Sequence, residues 1–364
     1  MVRTSRGNAR LLIACLAVIA IVILAAIAVV GDQEKGRATI GWIVGSPVGD
    51  GYGVILHTTD GVHWARQGSN GTVPDVVLSD IRAIDAQTAW AVGSSAGGYG
   101  TILRTDDGGN SWVRQGDASL PNVSLMGIGV VNRNVAWAAG ENGTILVTNN
   151  AGANWTVQAA PDHLTQAPLF VVAAIDAMNA WIVGDNDSDY AMILRTTDGG
   201  QHWLRQGTYE TIMTPGLIDI CAVDKQTAWA VGPDQTIIKT TDGGALWVIQ
   251  HTTAPSYGWH INGICALDTN NAWAAVDFDY LMRTTDGGGN WTEFHIPASV
   301  GVGFYLIDVS ALDMNTLWVT GVPFSADPQR GEILHSTDGG ATWQNQTSPV
   351  NTDLRRISFV NSPK

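Results

Sequence analysis

The sequence is poor in basic residues. Of 364 residues, 19 are Lys or Arg and 33 are Asp or Glu, which gives a net charge of −14. Three arginines fall within the first ten residues, which contain no acid, so the rest of the chain has 16 basic and 33 acidic residues. Nucleic acids and anionic lipid surfaces are bound through basic surfaces. The low number of basic residues therefore excludes nucleic acid and anionic lipid as the main partner.

Cysteines and catalytic motifs are also scarce. Three cysteines are too few for a disulfide framework. The chain contains no HExxH, no CxxC pair, no P-loop and no GxSxG nucleophile elbow. His251, His260 and His295 do not have the spacing of metal ligands. We therefore predict no catalytic residues, no cofactor and no metal site.

Long apolar runs are limited to one, residues 11–30, which contain no charge. Twenty residues of helix span about 30 Å, enough to cross a bilayer. Three arginines precede the run, so the positive-inside rule places the N-terminus in the cytoplasm. We predict a cytoplasmic segment 1–10, a single membrane anchor 11–30, a linker 31–37 and an extracytoplasmic domain 38–364. A cleaved signal peptide is the alternative, although its apolar region is normally only about 7–15 residues long.

Tryptophan is abundant, with fifteen residues against six Phe and seven Tyr. Two motifs account for fourteen of them, and each recurs seven times. Only Trp259 lies outside this pattern. The first motif, of the type AWAVG, contains Trp42, Trp90, Trp137, Trp181, Trp229, Trp273 and Trp318. The second, of the type ILRTTDGGxxW, contains Trp64, Trp112, Trp155, Trp203, Trp247, Trp291 and Trp343.

Each repeat divides into four short strands, A to D, as in 78–85, 88–93, 101–105 and 112–116. A unit of this size cannot bury both of its faces alone, and radial stacking solves the problem. The pattern therefore predicts an all-β fold, a seven-bladed β-propeller with four-stranded blades. The first repeat lacks strand A, and 353–361 resembles an isolated strand A. We expect this C-terminal strand to complete blade 1 and close the ring, which leaves no exposed edge.

The turn between strands C and D is the Asp box, also called the bacterial neuraminidase repeat. Its carboxylate accepts hydrogen bonds from backbone N–H groups, and its glycines supply positive φ. A carboxylate repeated in every blade indicates a structural role, because an active site needs an asymmetric cluster. The predicted Asp-box residues are Asp60, Asp107, Asn150, Asp198, Asp242, Asp286 and Asp338, with the seven tryptophans of the second motif.

The chain resembles the photosystem II stability/assembly factors of plants and cyanobacteria, which are single seven-bladed propellers of this repeat type. The resemblance is carried by motifs such as those at 90–93, 144–146 and 196–200 and covers 38–361. It implies a non-catalytic scaffold that binds another protein, such as a membrane protein or its precursor. A sialidase would need three converging arginines and a Tyr–Glu pair, which the sequence lacks. A glycan-binding or glycoside-hydrolase propeller remains the alternative, with Asp187, Asp189, Asp277 and Asp279 as its carboxylates.

The two faces of the predicted ring differ. The B–C and D–A loops vary in length and share one face, which we call the loop face; the A–B and C–D turns share the Asp-box face. Aromatic residues fall on or beside the loop face, and such residues on a rigid scaffold are typical of binding surfaces. The candidates are Trp259, Tyr257, His260, Phe304, Tyr305, Tyr52, Tyr99 and Tyr190, joined by Phe278 and Phe324. For Tyr52, Tyr99 and Tyr190, local packing is the competing interpretation.

Two further sets follow from the repeat. Basic residues on strands C and D are predicted to be solvated edge residues that prevent edge-to-edge pairing, with a partner-binding edge as the alternative. Cys221 and Cys265 occupy the same strand-A position in adjacent blades, and we predict free, buried thiols, because a disulfide needs Cα atoms within about 7 Å. The basic set comprises Arg66, Arg104, Arg114, Arg195, Arg205, Lys239 and Arg283.

Overall fold

The computed structural model describes the propeller and not the predicted anchor. Segments 1–10, 11–30 and 31–37 lie outside the described residues, so the anchor stays a prediction. Within the described part of the chain, no helix is long and apolar enough to cross a membrane. The structure describes residues 39–361 except 162–165, 186–189, 209–210, 213, 215, 252–257, 302 and 325–329.

The described chain forms seven four-stranded antiparallel sheets, as predicted for a seven-bladed propeller. Strands run A–B–C–D across each blade. Blade 1 contains β28 (Leu354–Asn361), β1 (Thr39–Gly45), β2 (Val54–Thr58) and β3 (Ala65–Gln67). Blades 2 and 3 contain β4 (Leu78–Ala83), β5 (Ala89–Ala96), β6 (Tyr99–Thr105), β7 (Val113–Arg114), β8 (Leu125–Val130), β9 (Ala136–Gly140), β10 (Ile145–Thr148) and β11 (Thr156–Gln158).

The remaining blades repeat this order. Blades 4 and 5 contain β12 (Leu169–Ala174), β13 (Ala180–Gly184), β14 (Met192–Thr196), β15 (Leu204–Arg205), β16 (Asp219–Ala222), β17 (Ala228–Val231), β18 (Ile237–Thr240) and β19 (Val248–His251). Blades 6 and 7 contain β20 (Ile261–Ala266), β21 (Ala272–Val276), β22 (Tyr280–Thr284), β23 (Thr292–His295), β24 (Phe304–Ala311), β25 (Leu317–Pro323), β26 (Glu332–Ser336) and β27 (Gln344–Gln346).

The C-terminal strand closes the ring. β28 pairs with β1 in antiparallel register, with Ile357 opposite Ile43 and Phe359 opposite Gly41. It also contacts the inner strands β24 and β4 of the two neighbouring blades. The inner strands A therefore follow one another around a central channel without a gap.

Tryptophan joins one blade to the next. The strand-B tryptophans are fully buried or nearly so between blades, and six of the seven Asp-box tryptophans are buried beside them, Trp291 being partly buried. Gln206, on the outer edge of blade 4, forms hydrogen bonds to both blades at one junction. Its Oε1 accepts hydrogen bonds from the indoles of Trp181 in blade 4 and Trp247 in blade 5, and its Nε2 donates to the carbonyl of Gly243. A glutamine follows the Asp-box tryptophan by three residues in six of the seven repeats, a signal that the sequence analysis did not use.

Candidate functional site

The Asp boxes form a regular ring of backbone clamps. In blade 4 the hydroxyl of Thr196 accepts the N–H of Gly200 at 2.8 Å, and the carboxylate of Asp198 accepts the N–H of His202 at 3.0 Å. Hydrogen bonds to His202 lower the pKa of Asp198 to about 2. Gly200 has φ +84°, and a Cβ there would lie 1.9 Å from the side chain of Gln158 in blade 3. The Asp box therefore stabilises its own C–D turn and also packs against the neighbouring blade.

Three of the four basic residues of strand C, Arg104, Arg195 and Lys239, are buried and Arg283 is half-buried, which corrects the prediction that they are solvated edge residues. Each lies over the strand-B tryptophan of its own blade, with the Arg195 guanidinium carbon 3.5 Å from the Trp181 ring centroid. Arg195 is only 5% exposed. A planar guanidinium packs well on the face of an indole. The cation–π attraction offsets part of the free energy needed to remove the charge from water. The same stacking occurs for Arg104 on Trp90, Lys239 on Trp229 and Arg283 on Trp273.

The three candidate tyrosines of blades 1, 2 and 4 lie against arginines of strand D. The guanidinium carbon of Arg114 is 3.8 Å from the Tyr99 ring centroid, and the same arginine donates to the Tyr99 carbonyl at 3.1 Å. These rings are therefore packed within their own blades. The equivalent pairs are Arg66 with Tyr52 at 3.8 Å and Arg205 with Tyr190 at 4.1 Å.

Aromatic side chains from four connections between strands meet on the loop face at blades 5 to 7. Tyr280 stacks on Trp259 with ring centroids 5.3 Å apart, and Phe278 lies 5.2 Å from both Trp259 and Tyr305. Tyr305 and Phe324 are in edge contact at 4.6 Å and are 42% and 44% exposed. We call these five residues the aromatic cluster: Trp259, Phe278, Tyr280, Tyr305 and Phe324.

The centre of the aromatic cluster is a strained hairpin. Phe278 and Asp279 have φ values of +61° and +68°, a region that bulky residues rarely occupy and that costs roughly 1–3 kcal/mol per residue. Asp277 accepts the N–H of His260 and the side-chain amide of Asn262, both at 2.9 Å. Asp279 accepts the N–H of Phe304, and burial raises the pKa of Asp279. The two carboxylates therefore hold the hairpin that presents Phe278.

The structure separates the predicted binding residues into two groups. Trp259 and Tyr305 belong to the aromatic cluster, and the exposed side chain of His260 lies beside it. Phe304 is 2% exposed and packs in the core beneath the aromatic cluster. Tyr257 lies outside the described residues, as do Asp187 and Asp189.

The central channel contains charged residues that sequence reasoning missed. Arg356, from the C-terminal strand, lies 3.1 Å from Asp219 and 3.3 Å from Asp308. Each aspartate also accepts a backbone N–H from the next blade, at Ile264 and Ile357 respectively. Asp219 and Asp308 stand ten residues before the strand-B tryptophan of their repeats, as Asp80 does in blade 2, a signal visible in the sequence. Above these residues, a bowl of about 450 Å³ opens between the seven inner strands.

The cysteine thiols lie at the other end of the channel. Cys221 and Cys265 are free, as predicted, and half-buried. Their sulfur atoms accept the N–H groups of Ala266 and Ala311 in the next blades. Burial raises the pKa of Cys265 to about 12. Among the described residues no group of His, Cys, Asp and Glu is arranged to hold a metal ion.

Comparison with solved structures shows the same fold. A structure titled "YCF48 bound to D1 peptide" is 20% identical, with a TM-score of 0.56, and the match covers 74% of this chain and 82% of that one. YCF48 from Cyanidioschyzon merolae is 19% identical, with a TM-score of 0.58 and coverage of 77% and 87%. The GH74 xyloglucanase of Xanthomonas campestris is 12% identical, with a TM-score of 0.56 and coverage of 90% and 55%.

The family assignment comes from the sequence. No curated protein matches the chain. Residues 69–213 and 208–301, more than half of the chain, match the family described as photosynthesis system II assembly factor YCF48. The chain therefore belongs to that family.

Proposed function

We propose that this protein is a non-catalytic, membrane-tethered scaffold that binds a segment of another protein through the aromatic cluster on its loop face. The observation that carries the proposal is the strained hairpin at Phe278, which holds the half-buried ring of Phe278 against the exposed rings of Tyr305 and Phe324. Strain is retained where the surrounding structure imposes it, often at binding sites. Aromatic residues on such loops commonly supply most of the binding energy.

Membership of the family supports a protein partner, because one structure of a member is of a complex with a D1 peptide. The tether in the proposal is the apolar segment 11–30, with the propeller on the extracytoplasmic side. A membrane protein or its precursor is the partner that this location and the family favour. Nothing in the aromatic cluster itself requires a photosynthetic partner.

A glycan-cleaving propeller is the second candidate. It is favoured by Asp277 and Asp279 beside aromatic rings and by the shared fold of the GH74 xyloglucanase. Both carboxylates, however, accept backbone N–H groups that hold loops in place, which leaves them poorly suited to acid–base chemistry. Turnover of any oligosaccharide in a panel of plant and bacterial glycans by the full chain would support the hydrolase and contradict the scaffold.

The scaffold is tested by capture from native membranes with the full-length chain. Trp259→Ala and Tyr305→Ala should reduce recovery of the captured protein about tenfold or more, as expected for hot-spot residues. Tyr99→Ala in blade 2 is the matched control, since Tyr99 is packed under Arg114. Melting curves should show all three variants folded. Undiminished capture by the two cluster variants would contradict the proposal.

A further inference from the structure

Three blades of the propeller each bind the guanidinium of one of their own arginines. In blades 1, 2 and 4 a strand-D arginine covers a hairpin tyrosine at 3.8–4.1 Å and donates to that tyrosine's carbonyl oxygen at 3.0–3.1 Å. The arginines pair in register with Leu56, Leu103 and Leu194 of strand C. Three copies of one arrangement define where a cation fits on the outer part of a blade.

Blade 6 has the rings but not the arginine. Its strand-C residue in the same register is Met282, and the residue paired with it is Glu293. Glu293 is exposed and stands where Arg66, Arg114 and Arg205 stand in their own blades. Phe278 takes the hairpin position of Tyr52, Tyr99 and Tyr190, four residues before the paired strand-C residue, and Tyr280 follows it two residues later. The arginine of blades 1, 2 and 4 is thus replaced by an acid at the blade that carries the aromatic cluster.

Glu293 and the rings share one site. Trp259, Tyr280 and Glu293 line a small indentation between blades 5 and 6, with Gln235, Val276 and Met282 as its base. His295 meets the Tyr280 ring edge-on at 4.8 Å. His251 of blade 5 is close enough for Glu293 to affect its pKa, but burial lowers that pKa, so a neutral imidazole does not cancel the carboxylate at neutral pH.

The surrounding charge also favours a cation. Four basic residues belong to the strands and turns between Asp219 and Gln346, and all four are described. Lys239 and Arg283 lie over strand-B tryptophans beside the Asp boxes, and Lys225 pairs with Asp176. The fourth, Arg330, lies 3.9 Å from Glu332. Within the described residues, no basic side chain of these blades is paired with Glu293.

We propose that blade 6 binds an arginine or lysine side chain from an extended segment of the partner protein, held against the rings of Trp259 and Tyr280 by the Glu293 carboxylate. The proposal rests on the proposed function, because it names the chemistry of the segment that the aromatic cluster binds. Rings of Trp and Tyr attract a cation through their faces, and a neighbouring carboxylate adds to the attraction. The partner's side chain would make the kind of cation–ring contact that Arg66, Arg114 and Arg205 make within their blades, but at Tyr280, two residues closer to the paired strand-C residue than Tyr52, Tyr99 and Tyr190 are.

The test uses the full chain in detergent micelles, labelled with 5-fluorotryptophan. The Trp259 resonance is assigned by its loss in Trp259→Phe. N-acetyl-arginine methylamide is titrated against N-acetyl-citrulline methylamide, which has nearly the same shape and no charge. We expect the arginine compound to shift the Trp259 resonance saturably, and the citrulline compound to bind about tenfold more weakly. Equal responses to the two compounds would overturn the proposal.

Glu293→Arg supplies the second arm, since it installs the residue found in blades 1, 2 and 4. This variant should move the Trp259 resonance by itself and remove the response to the arginine compound. Asp75→Arg makes the same charge change at an exposed loop residue before blade 2 and should leave the response intact. A full response in Glu293→Arg would refute the site. Partner capture that is lost in Trp259→Ala but unchanged in Glu293→Arg would refute only the basic side chain and leave the scaffold standing.

Discussion

Replacing Arg356 by methionine should destabilise the ring from its centre. The guanidinium comes from the C-terminal strand, reaches Asp219 of blade 5 and Asp308 of blade 7, and is 12% exposed. The two aspartate side chains are 2% and 4% exposed. Removing one partner of a buried ion pair leaves an uncompensated charge and typically costs about 3–5 kcal/mol. We expect a loss of that size in the free energy of unfolding at pH 8, measured by urea titration.

The loss should depend on pH with a definite sign. Burial raises the pKa of Asp308 to about 6, against the attraction of Arg356. The folded protein therefore binds more protons than the unfolded chain between about pH 4 and pH 6, and stability falls as the pH rises through this window. Without Arg356 the pKa of Asp308 rises further. The variant should thus be closest to the parent at pH 5, where Asp308 is protonated, and furthest from it at pH 8.

The control is the double variant Arg356→Met with Asp308→Asn. It removes one of the two carboxylates that lose Arg356 in the single variant, while an amide oxygen still accepts the N–H of Ile357. Part of the lost stability should return, because removing both partners costs less than removing one. A loss below about 1 kcal/mol at pH 8, or one that is the same at pH 5 and pH 8, would refute the electrostatic account of the channel.

Three other outcomes are expected. Trp203→Ala should cost roughly 3–5 kcal/mol of stability, as for a buried aromatic, whereas Trp259→Ala should lower the melting temperature only slightly and weaken partner capture; unfolding of the Trp259 variant would place that residue in the core. Deletion of 353–364 should abolish cooperative melting, since it removes the hydrogen-bonded partner of β1 and uncovers the inner strands β4 and β24; a truncated chain that melts like the parent would argue against ring closure. Cys221 and Cys265 should react with a thiol reagent only in denaturant, because burial raises the pKa of both thiols and the thiolate is the reactive form. Rapid labelling of the native protein, or a disulfide found by mass spectrometry, would contradict this.

The repeated chemistry of the chain was predictable because each piece is local. An Asp box is closed by hydrogen bonds between residues at most four apart, as between Asp198 and His202. Strand lengths and turns follow from the same short segment. With seven copies in register, a closed ring is the arrangement that buries both faces of every blade. The missing strand A at one end and the spare strand at 353–361 predicted how that ring closes.

Contacts between distant segments could not be derived in this way. Strand-C arginines look like solvated edge residues in the sequence because their tryptophan partners are on another strand. Arg356 and Asp219 are 137 residues apart, and only the circular order of the blades brings them together. The sequence placed Trp259 outside the repeat and on the loop face, but it did not show which rings surround it.

The aromatic cluster shows which features follow from the sequence and which require the tertiary structure. The sequence by itself determined that aromatic residues of blades 5 to 7 fall in loops on one face, because strand direction alternates regularly within each blade. The tertiary structure alone decided that Trp259, Phe278 and Tyr305 meet and that Phe304 turns into the core, whereas the place of Glu293 at the arginine position can be read from the repeat. Backbone conformation is part of the reason, because Phe278 has a positive φ, which no local preference of a bulky aromatic residue predicts.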